Sequence, residues 1–580
     1  MVLRNRALAV GAAILLMGAH AQAEWDAFVD RFLEGYFEAH PTFAVVQGRH
    51  EHDGRLPDWS RRGIEREIER LEGLRREALA FSSLEGEERF QRDYLVSRID
   101  RDLFWLDTAE WPFRNPAFYF DWMLDSLDPS PYVTLTYAPP GERLAAITRY
   151  LENIPQAARQ IRENLMTPMP ATYVEYGIDS FGGLAAYFER DLVQAFAEVE
   201  DTDLKRKFDA ARRPAIESMA GLAGWLEGQR GEATDEFALG PALFRQMIRE
   251  TEGVDADLDA LSRIGRADLE RNTSALRGAC ARFAPGDDVR ACFAKMANAK
   301  PEGGVVEAAR RQLSVLKAHV VETDLVSIPS DERAEVREAP PFARSNFAYI
   351  SIPGPYEIGQ PSIYYIAPPD PSWPEDMQQG YIPGEADLMF TSAHEVWPGH
   401  FLNFLHAKQS DWIFGRVFVG YAFAEGWAHY VEELMWETGF GDGDPEIHIG
   451  QLSNALLRNC RFLSAIGLHT GGMSVAESEA LFREACFQDQ GTARQQASRG
   501  TYDPAYLNYT MGKLLIRQLR EDWTRDRGGR EGWKAFHDRF LSFGGPSIPL
   551  VRAQMLGGEP RAVFGDATDV ESAGGGATRE

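Results

Sequence analysis

Hydrophobic residues recur at helical spacing through the first half of the chain. In the first such stretch they fall on one face of a helix that Pro41 should end. The same period of about 3.6 residues continues to roughly Lys317, so the pattern predicts a helical region over residues 24–320. The apolar positions of the first face are Trp25, Phe28, Val29, Phe32, Leu33, Tyr36 and Phe37.

The period changes after Val320. Three short runs rich in β-branched and aromatic residues follow, separated by proline and glycine, which is typical of strands. Helical periodicity resumes near Gly384 and continues to about Phe543. We therefore predict a mainly α protein, a large multi-helix chain with a small β element ahead of a helix that carries a metal motif. The predicted strands are Leu325–Pro329, Phe347–Ile352 and Ser362–Ile366.

The two ends of the chain lack the pattern of a folded core. Near the start, two arginines precede an apolar run, and a small-x-small cleavage sequence ends at Ala23. Residues 1–23 are therefore predicted to be a signal peptide, which implies a periplasmic or secreted protein. Residues 561–580 are predicted to be a disordered tail. This leaves residues 321–560 as a second folded region.

Composition narrows the range of partners. The formal net charge is −27, so nucleic acid and anionic membrane surfaces are poor partners. No later run of apolar residues is long enough for stable membrane insertion. The sequence does not determine the oligomeric state. Four cysteines allow three pairings. Proximity favours Cys280–Cys292 and Cys460–Cys486, with four buried free thiols as the alternative.

The stretch HEVWPGH at residues 394–400 contains the side chains of a hydrolytic zinc site. Zinc binds histidine nitrogen readily, and in catalytic sites it keeps one position open for water. A glutamate directly after the first histidine can deprotonate that water, as in metalloproteases. The alternative is a helix end that happens to carry two histidines.

The two histidines are six residues apart, whereas those of HExxH are four apart. Six residues of a continuous helix rotate by roughly 600° and rise by about 9 Å, so His394 and His400 could not easily share one metal. Pro398 cannot donate to the carbonyl of His394 and should break the helix. Gly399 supplies the backbone freedom to turn His400 back. We therefore predict that the helix ends between Val396 and Gly399.

A third ligand is available from the next predicted helix, which covers residues 422–434. Glu425 follows His400 by enough residues for one helix to end and another to return antiparallel. The three side chains His394, His400 and Glu425 would make the two-histidine, one-glutamate set of thermolysin-type sites. His429, one turn further along the same face, is either a residue that supports the ligands or a rival ligand. A solvated carboxylate is the alternative for Glu425.

Together these motifs resemble the bacterial family catalogued as domain of unknown function 885, which is grouped with gluzincin-type metallopeptidases. HExxPGH followed by an EGWA-x-Y helix carries the resemblance. The resemblance implies that His394, His400 and Glu425 bind zinc and that Glu395 is the catalytic base. The other segments similar to the family are residues 36–44, 55–58, 467–470 and 509–513.

Two further residues are candidates for stabilising the oxyanion formed during peptide hydrolysis. The resemblance favours Tyr509, and a tyrosine O–H beside zinc could stabilise the negative charge. The alternative is a tyrosine packed in the core with its hydroxyl satisfied. His469 is the second choice, although a lone histidine before Thr-Gly-Gly is more often structural.

The sequence thus predicts a secreted metallopeptidase that binds one zinc ion per chain and hydrolyses peptide substrates. Water activated by zinc would give its proton to Glu395, which would pass it to the leaving amine. The alternatives are a non-peptide metal-dependent amidohydrolase and a catalytically degenerate metal- or peptide-binding protein. An aromatic-rich stretch at residues 105–122 lines a peptide cleft or is plain core. An edge strand of the β element either binds an extended peptide or is purely structural.

Overall fold

The fold is mainly α, as the sequence predicts. The predicted tail over residues 561–580 and nearly all of the predicted signal peptide lie outside the described residues. Within the described part, no helix is both long and apolar enough to cross a bilayer. The structure, a computed structural model, describes residues 22–120, 126–339, 344, 347–369, 371 and 373–560.

Helices dominate the described residues before 323. The first, over residues 22–39, ends just before Pro41, as predicted, and its aromatic face is buried. Many later helices begin at a side chain that accepts a backbone N–H, such as Ser60 from Gly63 and Asp201 from Leu204. The α-helices after the first are Pro41–Val46, Arg61–Ala80, Gly86–Leu103, Trp111–Arg114, Pro131–Thr134, Pro140–Asn164, Ala171–Ala186, Leu192–Ala195, Thr202–Glu227, Pro241–Glu252, Leu258–Phe283, Val289–Asn298 and Val305–Glu322.

The small β element is a sheet of three strands, in the order β1-β3-β2. The strands are β1 (Ala334–Glu338), β2 (Ala348–Ser351) and β3 (Ser362–Ile366). Strand β3 lies between the other two, parallel to β1 and antiparallel to β2. All of its residues are buried, which explains its continuous apolar sequence. The second and third predicted strands are therefore confirmed.

The first predicted strand, Leu325–Pro329, is wrong. Leu325 and Val326 are buried in the core. However, the backbone groups of this segment form hydrogen bonds with side chains of helices and not with a neighbouring strand. Ser327 donates its backbone N–H to Asp538 at 2.7 Å, and its carbonyl lies 2.8 Å from Nε2 of His406. The actual strand β1 is more polar and comes later, so hydrophobicity alone misplaced it.

Helices resume after the sheet and continue past the predicted limit of Phe543. Four of them are named here for what they carry: the motif helix (Glu385–Glu395), the glutamate helix (Tyr421–Glu437), the arginine helix (Pro445–Thr470) and the tyrosine helix (Asn508–Thr524). The remaining α-helices of this region are Glu375–Tyr381, His400–Ala407, Ile413–Val417, Val475–Glu484, Gln490–Tyr502, Trp533–Leu541 and Ile548–Leu556. Shorter 3-10 or π segments are His50–His52, Phe104–Thr108, Pro116–Phe120, Tyr187–Asp191, Arg230–Glu232, Pro504–Leu507 and Gly529–Gly532.

One connected hydrophobic core runs from Trp25 to Val551 and joins helices from both predicted regions. The aromatic-rich stretch belongs to this core, with Trp105, Trp111 and Tyr119 all buried. The boundary between residues 320 and 321 stays a prediction.

Both predicted disulfides are formed. Cys280 is bonded to Cys292, and Cys460 is bonded to Cys486. The second bridge ties the arginine helix to the segment that follows Val475–Glu484. A covalent bond therefore restrains one of the helices that surround the candidate site described below.

Candidate metal centre

The motif helix ends at Glu395, which confirms the predicted break. Its last residues are followed by a tight turn in which the N–H of Gly399 donates to the carbonyl of Ala393 at 3.0 Å. A Cβ on Gly399 would lie 1.7 Å from the carbonyl oxygen of His394. Glycine is therefore required here because a side chain would not fit. A positive φ is not the reason, because its φ is −74°. A new helix begins directly afterwards at His400.

This turn brings the two histidines of the motif together. The ring centroids of His394 and His400 lie 4.8 Å apart, with their planes at 88°. The indole N–H of Trp427 donates to the carbonyl of Pro398 at 2.9 Å and so fixes the turn to the glutamate helix. The two histidines could not meet on a straight helix at a spacing of six residues. The break in the helix allows them to do so.

Glu425 reaches the same point from the glutamate helix. One of its carboxylate oxygens lies 3.2 Å from Nε2 of His394 and 3.4 Å from Nε2 of His400. Candidate ligand atoms of all three residues lie within 4.8 Å of one another. Two ligands bound tetrahedrally to zinc at about 2.0–2.1 Å are about 3.3–3.4 Å apart. The observed spacing between Glu425 and each histidine therefore fits one zinc ion.

The charges of the clustered side chains also favour the binding of a cation. Burial alone would raise the pKa of the Glu425 carboxyl, but His400 and His394 hold it well below its usual value. Burial lowers the pKa of His394, yet its contacts with Glu425 and Glu432 outweigh this and raise it to about 9. Positive charge at this point is thus stabilised by its surroundings, and the donor set is one that zinc accepts.

Sequence analysis did not identify Glu432, which contacts the other nitrogen of His394. Its Oε1 atom lies 2.7 Å from Nδ1 of that ring, and Glu432 is fully buried. Metal-binding histidines commonly donate their second N–H to a carboxylate in this way. The signal was present in the sequence, because Glu432 follows Glu425 by two helical turns and so lies on the same helix face.

Glu432 is itself held by two cationic or polar neighbours. Arg458 of the arginine helix pairs with its Oε1 at 3.1 Å, and Nδ1 of His429 lies 3.1 Å from its Oε2. Arg458 in turn donates to Asn454, whose amide donates to Asp387 on the motif helix. A chain of hydrogen bonds therefore joins three helices around His394.

His429 does not belong to the cluster of three side chains. Its ring contacts Glu432, and Glu432 in turn contacts His394. Burial lowers its pKa to about 4. The His429 ring is therefore neutral near pH 7 and can donate a hydrogen bond to the Glu432 carboxylate.

Glu395 ends the motif helix directly beside His394. Its side chain is partly exposed, and among the described residues no hydrogen bond or ion pair holds its carboxylate. Its negative charge helps to raise the pKa of Tyr364, a fully buried residue of β3, after burial itself. Glu395 therefore has a carboxylate without a partner among the described residues, and it directly follows a residue of the cluster in the chain.

Tyr509 lies beside the cluster because the tyrosine helix crosses the glutamate helix at two glycines. A Cβ on Gly512 would lie 2.1 Å from the carbonyl oxygen of Ala422, and one on Gly426 would lie 2.5 Å from the Cα of Gly512. The two backbones are thus in contact, which is the structural role of both glycines. The Tyr509 ring centroid consequently lies 6.3 Å from that of His394.

A second tyrosine, Tyr421, was not identified from the sequence. Its ring packs against Tyr509 with centroids 5.9 Å apart. Its hydroxyl contacts Arg499 and Asp503, whereas the hydroxyl of Tyr509 has no hydrogen-bond partner among the described residues. Burial, followed by the charge of Glu425, raises the pKa of Tyr509, so its hydroxyl stays protonated.

His469 does not lie in the cluster. Its Nε2 contacts the carbonyl of Gly500 at 2.8 Å, and its Nδ1 accepts the N–H of Leu239 at 3.3 Å. The ring also stacks on Phe244. Both nitrogens are therefore used by backbone groups, and we leave His469 out of the site. These contacts agree better with the alternative, in which His469 is a structural histidine.

Comparisons with known proteins identify the family and the fold. No curated protein matches the chain. A solved structure described as a putative lipoprotein of unknown function from Shewanella oneidensis is 22% identical, with a TM-score of 0.75, and the match covers 92% of this chain and 99% of that one. A putative lipoprotein from Colwellia psychrerythraea is 16% identical, with a TM-score of 0.77 and the same coverage of 92% and 99%. At these sequence identities the structural similarity shows a shared fold and nothing about function.

The family assignment rests on the sequence itself. Residues 41–555 match the family described as "Bacterial protein of unknown function (DUF885)". That range contains every residue of the cluster and almost all of the described chain. This protein therefore belongs to the DUF885 family.

Proposed function

We propose that this protein is a zinc-dependent metallopeptidase that hydrolyses peptide bonds. The observation that carries the proposal is the convergence of His394, His400 and Glu425, whose candidate ligand atoms lie within 4.8 Å of one another. Glu395 follows His394 at the end of the same helix. Zinc held by these three residues would supply Lewis acidity, lowering the pKa of water and polarising the scissile carbonyl.

Glu395 is the proposed general base. Its carboxylate takes a proton from the attacking water, whose oxygen bonds to the carbonyl carbon. The same carboxyl group then gives that proton to the leaving amine as the C–N bond breaks. The partial exposure of Glu395 keeps it in contact with the water that it must deprotonate.

Tyr509 is the proposed oxyanion donor. Its hydroxyl is protonated and has no acceptor among the described residues, so it can donate to the negative oxygen that forms on the carbonyl. The donor lies on a different helix from the ligands, and the crossing at Gly426 and Gly512 keeps it in place.

We also propose that the protein acts outside the cytoplasm. Two disulfides are typical of proteins that fold in an oxidising compartment. The sequence of the first 23 residues has the features of a cleavable signal peptide.

The proposal is tested by digesting a mixed peptide library with the purified protein and with Glu395→Gln. We expect peptide cleavage by the wild type, loss on chelation, and recovery on adding zinc. Glu395→Gln should keep its zinc while hydrolysis falls by several orders of magnitude. Bound zinc with cleavage of non-peptide amides only would favour an amidohydrolase, and bound zinc without any turnover would favour a binding protein.

A further inference from the structure

Arg461 is a buried cation without a carboxylate partner. It lies on the arginine helix with 8% of its surface exposed. Its Nε–H donates to the neutral side chain of Gln496 at 2.8 Å. Among the described residues no Asp or Glu forms an ion pair with it. Three other buried or half-buried arginines do have such a partner: Arg458 with Glu432, Arg499 with Asp503 and Arg517 with Glu433.

An unpaired buried charge is costly, and here its neighbours add to the cost. Burial, followed by the positive charge of Arg499 and Arg458, lowers the pKa of Arg461. The charges of those two neighbours are already balanced by their own carboxylates. The space around the Arg461 guanidinium therefore lacks one negative charge, and an anionic ligand would supply it.

The position of Arg461 connects that missing charge to the candidate metal centre. Its guanidinium carbon lies 4.8 Å from the ring centroid of Tyr509. The same ring lies 6.3 Å from the ring of His394. Arg461 and a proposed zinc ligand thus share one aromatic neighbour. Among the described residues no hydrogen bond engages either terminal nitrogen of Arg461, so both can donate to a ligand.

We propose that Arg461 binds the C-terminal carboxylate of the peptide substrate and that the protein is a metallocarboxypeptidase. The inference rests on the proposed function, and it names the substrate class of that same site. A guanidinium presents parallel N–H donors that match a carboxylate. The chemical step is unchanged: water adds to the last peptide carbonyl, the C–N bond breaks, and the released amino acid takes its proton from Glu395.

Covalent geometry favours the terminal carboxylate over an acidic side chain. In any peptide the terminal carboxylate carbon is separated from the last peptide carbonyl carbon by only two atoms, N and Cα. Every substrate of a carboxypeptidase therefore carries its charge at a short, nearly constant distance from the scissile bond. Arg461 is a fixed cation that shares the Tyr509 ring as a neighbour with His394, a proposed zinc ligand. It can therefore bind a charge that is always held at the same distance from the scissile bond. An acidic side chain has additional rotatable bonds, and only some residues of a peptide carry one.

The first test compares one peptide library in two forms, with free C-terminal carboxylates and with C-terminal carboxamides. The zinc-loaded wild type should remove single residues from the free acids, and kcat/KM should be at least about 100-fold lower for the amides. In Arg461→Gln the ratio of kcat/KM for the acids to kcat/KM for the amides should fall close to one. Arg461→Lys, which keeps the charge, should recover part of the loss.

The second test measures binding without turnover. In the Glu395→Gln background, N-acetyl-Ala-Ala-Phe with a free carboxylate should bind at least about 10-fold more tightly than its carboxamide by isothermal titration calorimetry. Adding Arg461→Gln should abolish that preference while the zinc content stays the same. A preference that survives in the double variant would assign the carboxylate to another group and overturn the proposal.

The outcomes separate this inference from the proposed function. If zinc-loaded wild type cleaves acids and amides equally, or cuts beside internal acidic residues, the protein is a metallopeptidase but Arg461 does not select a C-terminus. If purified protein neither retains zinc nor cleaves either library, the proposed function fails and this inference fails with it. The wild-type comparison needs no substitution, so a folding defect in Arg461→Gln would not obscure it.

Discussion

The Nδ1 atom of His394 lies 2.7 Å from a carboxylate oxygen of Glu432. An Nδ1–H that donates to this carboxylate leaves the lone pair of Nε2 free, and Nε2 is the atom that faces Glu425. Because Glu432 and Glu425 belong to the same helix, one element supplies a proposed zinc ligand and also orients a second ligand.

Removing the charge of Glu432 should therefore weaken zinc binding without removing a ligand. We expect Glu432→Gln to lower zinc affinity by about 10–100-fold, as measured by competition with a chromogenic chelator. Glu236→Gln is the matched control, because Glu236 is exposed and distant in sequence from the cluster. Unchanged affinity in Glu432→Gln would show that the contact does not orient His394.

The two stacked tyrosines beside the cluster should differ in their contribution to catalysis. Tyr509→Phe removes a hydroxyl that has no partner among the described residues, so kcat should fall by about 10²–10³-fold with zinc content unchanged. Tyr421→Phe removes a hydroxyl already engaged by Arg499 and Asp503, so its effect on kcat should be smaller. Equal losses in the two variants would mean that neither hydroxyl is the specific oxyanion donor.

The glycine crossing should tolerate no side chain. In Gly512→Ala the new Cβ would lie 2.1 Å from the carbonyl oxygen of Ala422, so the two helices must separate. We expect the free energy of unfolding to fall by about 1–3 kcal/mol or more, together with reduced activity. Gly221→Ala is the control, because its Cβ meets nothing within 4 Å on an exposed helix face. That control should be neutral or stabilising by up to about 1 kcal/mol.

Glu252 connects the two crossing helices and should make stability depend on pH. It accepts hydrogen bonds from the backbone N–H of Ala422 at 3.4 Å and from the side-chain amide of Asn508 at 2.8 Å. Burial raises its pKa from 4.5 to about 7, although Arg101 and these donors oppose the shift. Between these two values the folded state binds more protons than the unfolded state. The stability that this group contributes at low pH is therefore lost as pH rises through 7.

Glu252→Gln should remove that dependence. The amide oxygen can still accept the hydrogen bond from Asn508, while the NH2 group replaces the oxygen that accepts the longer bond from Ala422. Because the wild-type carboxyl group is protonated at pH 4.5, we expect only a small loss of stability there. At pH 8 the variant should be more stable than the wild type, by up to about 3 kcal/mol. Thermal unfolding of both proteins at the two pH values measures the difference. A variant that is less stable than wild type at pH 8 would show that Glu252 is ionised and stabilised by Arg101.

Local chemistry made part of this site predictable. Pro398 cannot continue a helix, so the break after Glu395 followed from the sequence, as did the approach of His400 to His394. The two disulfides followed from proximity along the chain. The mainly α fold and two of the three strands followed from periodicity. In each of these cases the deciding residues lie within a few turns or one connection of one another.

Contacts between distant segments were not predictable from a single sequence. The close approach of Gly426 and Gly512 depends on how two helices cross. The pairing of Leu325–Pro329 with helix side chains, not with a strand, has the same origin. His469 was a candidate from its local motif, but Gly500 and Leu239 fix its role from other parts of the chain.

The central claim is that His394, His400 and Glu425 together bind one zinc ion. The most direct test is the zinc content per chain, by inductively coupled plasma mass spectrometry, of the wild type and of the three single alanine variants after dialysis against a weak chelator. We predict close to one zinc per wild-type chain and a sharp loss in His394→Ala, His400→Ala and Glu425→Ala alike. A wild type that holds no zinc, or a His400→Ala variant that keeps it fully, would contradict the account.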